Sequence, residues 1–176
     1  MATLFLLVGL PASGKTTLAR KIASDRRALR MTPDVWMIPL FGESEANGKR
    51  DVLEGRLIAV ALEALRLGTN VVLDFGFWAR DERSALRSIA ASVGASAEVV
   101  YLPIDRATQL QRVRTRWDDT PAETFEITKT DLDSWRGLFQ EPTTDELAGG
   151  PIDEPPKPWQ DWYDWAAWRW PSLSDS

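Results

Sequence analysis

Leu4-Phe5-Leu6-Leu7-Val8-Gly9-Leu10-Pro11-Ala12-Ser13-Gly14-Lys15-Thr16 is the stretch whose reading decides the fold. Five consecutive apolar residues read as a strand buried on both faces. The eight that follow match the phosphate-binding pattern GxxxxGK[ST] at every defined position. Each residue type has a chemical reason. The loop from Gly9 to Thr17 (Leu10, Pro11, Ala12, Ser13, Gly14, Lys15 and Thr16 between them) must turn its main-chain N–H groups, which Pro11 alone lacks, inward towards phosphate oxygens, and glycines at the loop ends permit that path. Lys15 reaches the terminal phosphates. Thr16 offers its hydroxyl to Mg²⁺, and Thr17-Leu18-Ala19-Arg20-Lys21-Ile22-Ala23 opens a helix whose positive end faces the anion. An ordinary strand-to-helix turn would not need the lysine and the hydroxyl together.

The 176 residues suit one compact domain with a modest appendage. Their 44% hydrophobic and 27% charged content is ordinary for a globular chain. A net charge of −5 and a pI near 4.9 argue against a non-specific polyanion binder. Without cysteine there is no disulfide or thiolate chemistry, and without histidine any general base is a carboxylate or another side chain. The apolar N-terminus lacks a basic leader and a cleavage site, and no stretch is long and apolar enough for a membrane span; a cytoplasmic protein is expected.

Outward from the loop, strand and helix patterns alternate. Ala28 to Met31 reads as a weak second strand, and Thr32-Pro33 makes Asp34 emerge at its carboxyl end, the edge where open α/β sheets hold ligands. Phe41 to Lys49 reads as a loop. Asp51 to Leu67 is a helix stopped at Gly68. Asn70 to Asp74 is a buried strand whose last residue stands where Mg²⁺ would need a carboxylate, if this strand lies beside the first; the other reading of Asp74 is a turn former or helix cap. A helix from Arg80 to Ser92 and a strand from Glu98 to Leu102 follow. The alternation predicts a mainly parallel sheet with helices on both faces.

Arg106 to Trp117 reads as a helix. Arg112 and Arg116 share one face, suited to a γ-phosphate, while Arg114 points elsewhere; a solvated face bridged by Asp118 and Asp119 is the alternative. Thr128 to Phe139 is a further helix, with Leu132, Trp135, Leu138 and Phe139 on its apolar side. Composition then shifts. Between Gln140 and Asp164 seven acidic residues stand against Lys157 alone, among glycines and prolines, which reads as a linker. Trp159, Trp162, Trp165 and Trp168 recur every third residue, with Tyr163 and Trp170 beside them. A short helix docking these rings on the main domain is expected, and a stripe exposed for a partner is the other reading.

The loop, the Asp34 turn, the Asp74 strand and the arginine helix, in this order, resemble the P-loop kinase group of AAA-like bacterial phosphotransferases, which includes polynucleotide kinases, chloramphenicol phosphotransferase and zeta-type toxins. The resemblance spans Thr3 to Leu147. It implies a P-loop NTPase three-layer α/β sandwich over residues 1–147, followed at 148–176 by an acidic, Pro-rich linker and Trp-rich tail. It also implies an ATP- and Mg²⁺-dependent kinase acting on a hydroxyl. By that resemblance Asp34 is the base, Lys15, Arg112 and Arg116 surround the phosphates, Thr16 and Asp74 hold the metal, and Arg80 and Arg83 contact substrate. Met37 stands where the polynucleotide kinase branch has arginine. This disfavours a nucleic-acid acceptor, although an RNA end stays open, and it points to an apolar acceptor wall of Trp36, Met37 and Ile38. The second function class is a nucleotide switch acting through a protein partner. Thr128-Lys129-Thr130-Asp131 superficially matches a guanine-reading TKxD, but Asp74-Phe75-Gly76 is one residue short of DxxG, and Thr128 or Thr130 suits a helix N-cap better.

Overall fold

Along β1 (Thr3–Val8) the side chains alternate between two cores. Leu4, Leu6 and Val8 join one apolar cluster, and Phe5 and Leu7 join another on the opposite face of the sheet. This is why the run is apolar throughout. The computed structural model describes residues 1–43, 46–119 and 127–174, and Thr124, Phe125 and Glu126 fall outside them. Three more strands, β2 (Ala28–Met31), β3 (Asn70–Gly76) and β4 (Ser96–Tyr101), complete a sheet of order β2-β3-β1-β4. All pairings are parallel, so β1 sits centrally, with Leu6 opposite Leu73 on one side and Val99 on the other.

Helix α1 (Lys15–Asp25) covers the Phe5/Leu7 face through Leu18, Ala19 and Ile22. On the other face lie α3 (Lys49–Arg66) and α4 (Arg80–Ser92). The order of elements and the layers are those of an α/β P-loop sandwich, as the alternation predicts. One departure from the sequence reading bears on the site. Residues Pro33–Phe41 form a helix, α2, with Pro33 in its first turn, where the missing N–H costs nothing. Asp34 therefore sits at a helix start rather than in a strand-end turn.

Beyond β4 come α5 (Arg106–Asp119), α6 (Lys129–Leu138), α7 (Thr144–Leu147) and α8 (Trp162–Arg169). Thr128 caps α6 through the Asp131 N–H, and Asp131 returns a bond to the Thr128 N–H, so the TKxD resemblance is a capping box. Trp162, Trp165 and Trp170 are buried in the same cluster as Leu57, Ile58 and Leu86, with edge-on ring contacts centred on Trp165. Trp168 is 60% exposed and leans on Trp159.

A row of arginines on α4 straps the acidic linker to the domain. Arg80, Arg83 and Arg87 recur at helical spacing on one face. Arg80 pairs with Asp153 at 2.6 Å, Arg83 grips both carboxylate oxygens of Glu146 at 2.5 and 3.1 Å, and Arg87 donates to the Gly150 carbonyl. Gly55 on α3 makes room for the chain that follows α8. A Cβ there would lie 2.5 Å from Ser172 Oγ and 3.1 Å from the Leu173 nitrogen. Among the described residues no helix is long and apolar enough to cross a membrane.

Arg83 and Glu146 are both buried, so removing one partner strands the other charge. Glu146→Ala is expected to lower unfolding free energy by about 3–5 kcal/mol in urea titrations, the usual cost of breaking a buried pair. An effect below about 1 kcal/mol, the range of an exposed pair, would show that the strap is not structural. Gly55→Ala separates packing from helix propensity. An undocked tail would let alanine stabilise α3 by about 1 kcal/mol, whereas the observed contact predicts net destabilisation with red-shifted tryptophan emission.

Candidate active site

The loop between β1 and α1 is pinned on both sides where it leaves the strand. The Gly9 N–H donates to the Gly76 carbonyl at 3.2 Å, and the Leu102 N–H donates to the Val8 carbonyl at 2.9 Å. A Cβ on Gly9 would lie 2.8 Å from the Leu102 carbonyl oxygen, and Gly14 has φ +100°, so both positions exclude ordinary side chains. Ala12, between them, is also left-handed, with φ 65°. Pro11, Ala12 and Ser13 are held from outside by α5. Gln109 donates to the Pro11 carbonyl at 3.0 Å and Arg112 to the Ala12 carbonyl at 3.1 Å. Arg136 of α6 in turn fixes Gln109 at 2.8 Å.

Lys15 folds over the loop and donates to the carbonyls of Gly9 and Leu10 at 2.9 and 2.8 Å. Burial pulls its ammonium down to about 8, opposed by the nearby Asp74 and Asp34 carboxylates. Beside it Thr16 hydrogen-bonds Asp74. Burial pushes the Asp74 carboxyl up from the ordinary aspartate value, against the Thr16 bond and the charges of Lys15 and Arg30. Oδ2 of Asp74 is buried with no hydrogen-bonding partner among the described residues; the Arg30 guanidinium stands 3.6 Å away. A hydroxyl and a carboxylate with an orphaned oxygen form an oxygen donor set that fits Mg²⁺.

Asp34, in the first turn of α2, faces the same end of the sheet. Its side chain is 72% exposed, and Arg50 Nη1 of α3 donates to its Oδ1 at 2.8 Å. The structure thus brings together Lys15, Thr16, Asp34 and Asp74, with Arg112 against the loop. The side chain of Arg116 lies outside the described residues.

Three sequence expectations are corrected. Arg83 is buried against Glu146 and the carbonyls of Phe77 and Trp78, so no substrate reaches it. Arg80 is directed to Asp153 and the linker instead of the loop. The wall of Trp36, Met37 and Ile38 is dispersed because α2 is helical. Met37 turns into the core, and Trp36, two residues from Asp34, lies about 200° around the helix from it. Ile38 and Phe41, at i+4 and i+7, share the Asp34 face.

Sequence reasoning missed Arg50 and Glu54. Arg50 Nε donates to Glu54 Oε1 at 3.0 Å, and Trp170 Nε1 donates to Glu54 Oε2 at 3.1 Å in the buried interior. Their i, i+4 spacing was the available signal, but it is the same for a solvated surface pair. Also unforeseen is a cavity of about 600 Å³ on the β4 side of the loop. It is lined by Leu10, Ser13, Tyr101, Ile104, Arg112 and Phe139 among others.

Burial pushes Glu54 up to about 7, and Glu82 adds to this, while Arg50, the Trp170 bond and Arg169 oppose it. Its folded value lies above the unfolded 4.5, so its stabilising contribution is complete below about pH 4.5 and is lost as pH rises through about 7. In urea titrations from about pH 5 to 8, the stability of the native protein relative to Glu54→Gln should decline with pH. A rising difference would contradict the buried setting.

Comparisons with known proteins agree with this architecture. No curated protein matches the sequence. Among solved structures, a candidate kinase from Chloroflexus aurantiacus J-10-fl is similar over 95% of this chain and 96% of its own, with TM-score 0.64 and 17% identity. Kti12 of Chaetomium thermophilum, solved in complex with ADP-AlF3, is similar over 84% of this chain and 85% of its own, with TM-score 0.63 and 18% identity. A gluconokinase from Sinorhizobium meliloti 1021 follows at TM-score 0.54 and 16% identity, covering 99% of this chain and 91% of its own. These likenesses establish the P-loop kinase-like fold. The sequence of residues 4–142 matches the AAA domain family, and the chain belongs to it.

Proposed function

We propose that this protein transfers the γ-phosphate of ATP to a hydroxyl of a small molecule, nucleoside or nucleotide, with Asp34 as the base. The convergence of Lys15, Thr16, Asp74 and Asp34 at one end of the sheet carries this reading. Sheet order gives the two substrates separate places in this reading. Asp34 follows β2 at one edge, the loop follows the central β1, and the cavity lies beside β4 at the other edge. ATP suits this line with its nucleoside in the β4-side cavity, its phosphates on the loop amides and its γ-phosphate directed towards β2.

Lys15 exchanges its loop carbonyls for phosphate oxygens and neutralises charge there. Thr16 and Asp74 would hold Mg²⁺, which supplies Lewis-acid neutralisation of the phosphate oxygens. Arg112, and by its i, i+4 sequence spacing Arg116, would close over the phosphates. Asp34 orients the acceptor hydroxyl through Oδ2, which makes no hydrogen bond among the described residues. As the acceptor oxygen bonds to the γ-phosphorus, the bond to the β–γ bridging oxygen breaks, ADP leaves, and the hydroxyl proton passes to Asp34.

Ile38 and Phe41, sharing the Asp34 face of α2, suit an acceptor with an apolar body. The net charge of −5 favours a small acceptor over a nucleic-acid end. A cytoplasmic setting, where ATP is abundant, suits the reading. The capping role of Asp131 removes the guanine-reading motif that favoured a GTP switch.

The deciding experiment is transfer of labelled γ-phosphate to a panel of nucleosides, nucleotides, a 5′-hydroxyl oligonucleotide and hydroxylated antibiotics. Asp34→Asn should lower kcat by about 10²–10⁴-fold, the usual contribution of a general base, while calorimetry shows unchanged ATP affinity. Lys15→Ala should lose ATP binding itself. Equal loss of transfer and ATP affinity in Asp34→Asn would overturn the base assignment.

A further inference from the structure

We propose that Arg50 is a positioning residue for Asp34, and that the C-terminal tail sets Arg50 through Glu54 and Trp170. The proposal rests on Asp34 being the base. An exposed aspartate in the first turn of a nine-residue helix has several rotamers open to it, and only some place an oxygen near the loop. The contact that selects one is Arg50 Nη1 on Oδ1, which leaves Oδ2 for an acceptor.

Arg50 is itself fixed from behind. Its side chain is largely enclosed, at 17% exposure, and its Nε donates to Glu54 Oε1. A guanidinium is planar, so orienting Nε orients Nη1. Glu54 is in turn held by Trp170, whose indole N–H donates to Oε2 at 3.1 Å and whose side chain is completely buried. Three direct hydrogen bonds therefore join the tail to the proposed base, and each intermediate group is enclosed. Arg169 keeps Trp170 in place, lying over its ring at 5.4 Å while pairing with Asp51 of α3 at 2.5 Å and Glu82 of α4 at 2.8 Å. Glu54 thus sits between Arg50 on its own helix, Arg169 and Trp170 from the tail, and Glu82 of α4.

Two functions are asked of this relay. It lowers the number of carboxylate orientations at the reacting centre, where misplacement by about 1 Å can cost roughly a hundredfold. It also makes turnover depend on a segment that touches neither substrate.

Trp170→Phe keeps an aromatic ring and removes the N–H, and Arg50→Lys keeps the charge and removes the planar fork. Each is made alone and together with Asp34→Asn in the full chain, and ATP turnover is followed with the best acceptor of the panel, or with water. Each single variant should lower kcat by about tenfold with KM for ATP unchanged, because part of the orientational advantage is lost. In the Asp34→Asn background neither should lower it further. The Arg50 Nε–H, followed by ¹⁵N NMR, should exchange faster with solvent in Trp170→Phe, a readout that needs no acceptor. Equal fold-losses with and without Asp34, or unchanged turnover and exchange, would overturn the proposal. If Asp34→Asn alone leaves turnover intact, the base assignment fails instead, and the exchange rate still reports whether the tail holds Arg50.

Discussion

Everything at the candidate site depends on how closely Gly9 approaches the ends of two strands. Its N–H binds the Gly76 carbonyl, and the Leu102 carbonyl oxygen stands 2.8 Å from where a Cβ would be. With that contact in place the loop cannot drift from β3 or β4. Asp74, two residues before Gly76, is consequently fixed against Thr16, and the β4-side cavity is fixed against Leu10 and Ser13. The central position of β1 makes this possible, because a loop leaving a central parallel strand has neighbours on both sides. The helices beyond β4 add a second restraint through Gln109 and Arg112, so the loop is braced from outside as well as from below.

The tail solves a different problem. An acidic, Pro-rich segment has little apolar surface of its own, and α8 is too short to be a stable helix alone. Both become ordered because α4 presents arginines to the linker carboxylates and α3 and α4 present apolar surface to the tryptophans. The acidic excess of the linker thus has a partner inside the same chain. The same arrangement diverts Arg80 and Arg83 from the phosphate chemistry that their place after the Asp74 strand invited.

How far the sequence disclosed this follows from the range of each interaction. β1, the loop, β3 and the helix after it were legible because buried parallel strands and GxxxxGK[ST] are local signals. The adjacency of β3 to β1, and so the Asp74–Thr16 contact, followed from chain order and the parallel rule. Helix α2 was not legible, since Val35-Trp36-Met37-Ile38-Pro39-Leu40-Phe41 is apolar all round and contains a proline, leaving no period to detect. Arg83 was misread because its partner lies 63 residues away in a linker, and no local pattern separates an arginine facing a carboxylate from one facing phosphate. Glu54 looked like half of a surface i, i+4 pair, and only packing against Trp170 makes it an interior group.

The depth of the tail also constrains what a nucleotide can do to it. Trp162, Trp165 and Trp170 are each at most 6% exposed, and releasing α8 would return all three to water. Large rings bury roughly 150–250 Å² each, so at about 25 cal/mol per Å² their exposure costs on the order of 10 kcal/mol. Moving a two-state equilibrium from 1:99 to 99:1 requires a differential affinity of about 5.5 kcal/mol. Starting from a tail held this firmly, one γ-phosphate contact falls well short of releasing it. In the proposed reaction the tail therefore acts as fixed structure, a rigid backing for Glu54 and Arg50. On the proposed function, motion belongs instead to the side chains that line the loop, first Lys15, whose carbonyl partners would be exchanged for phosphate oxygens.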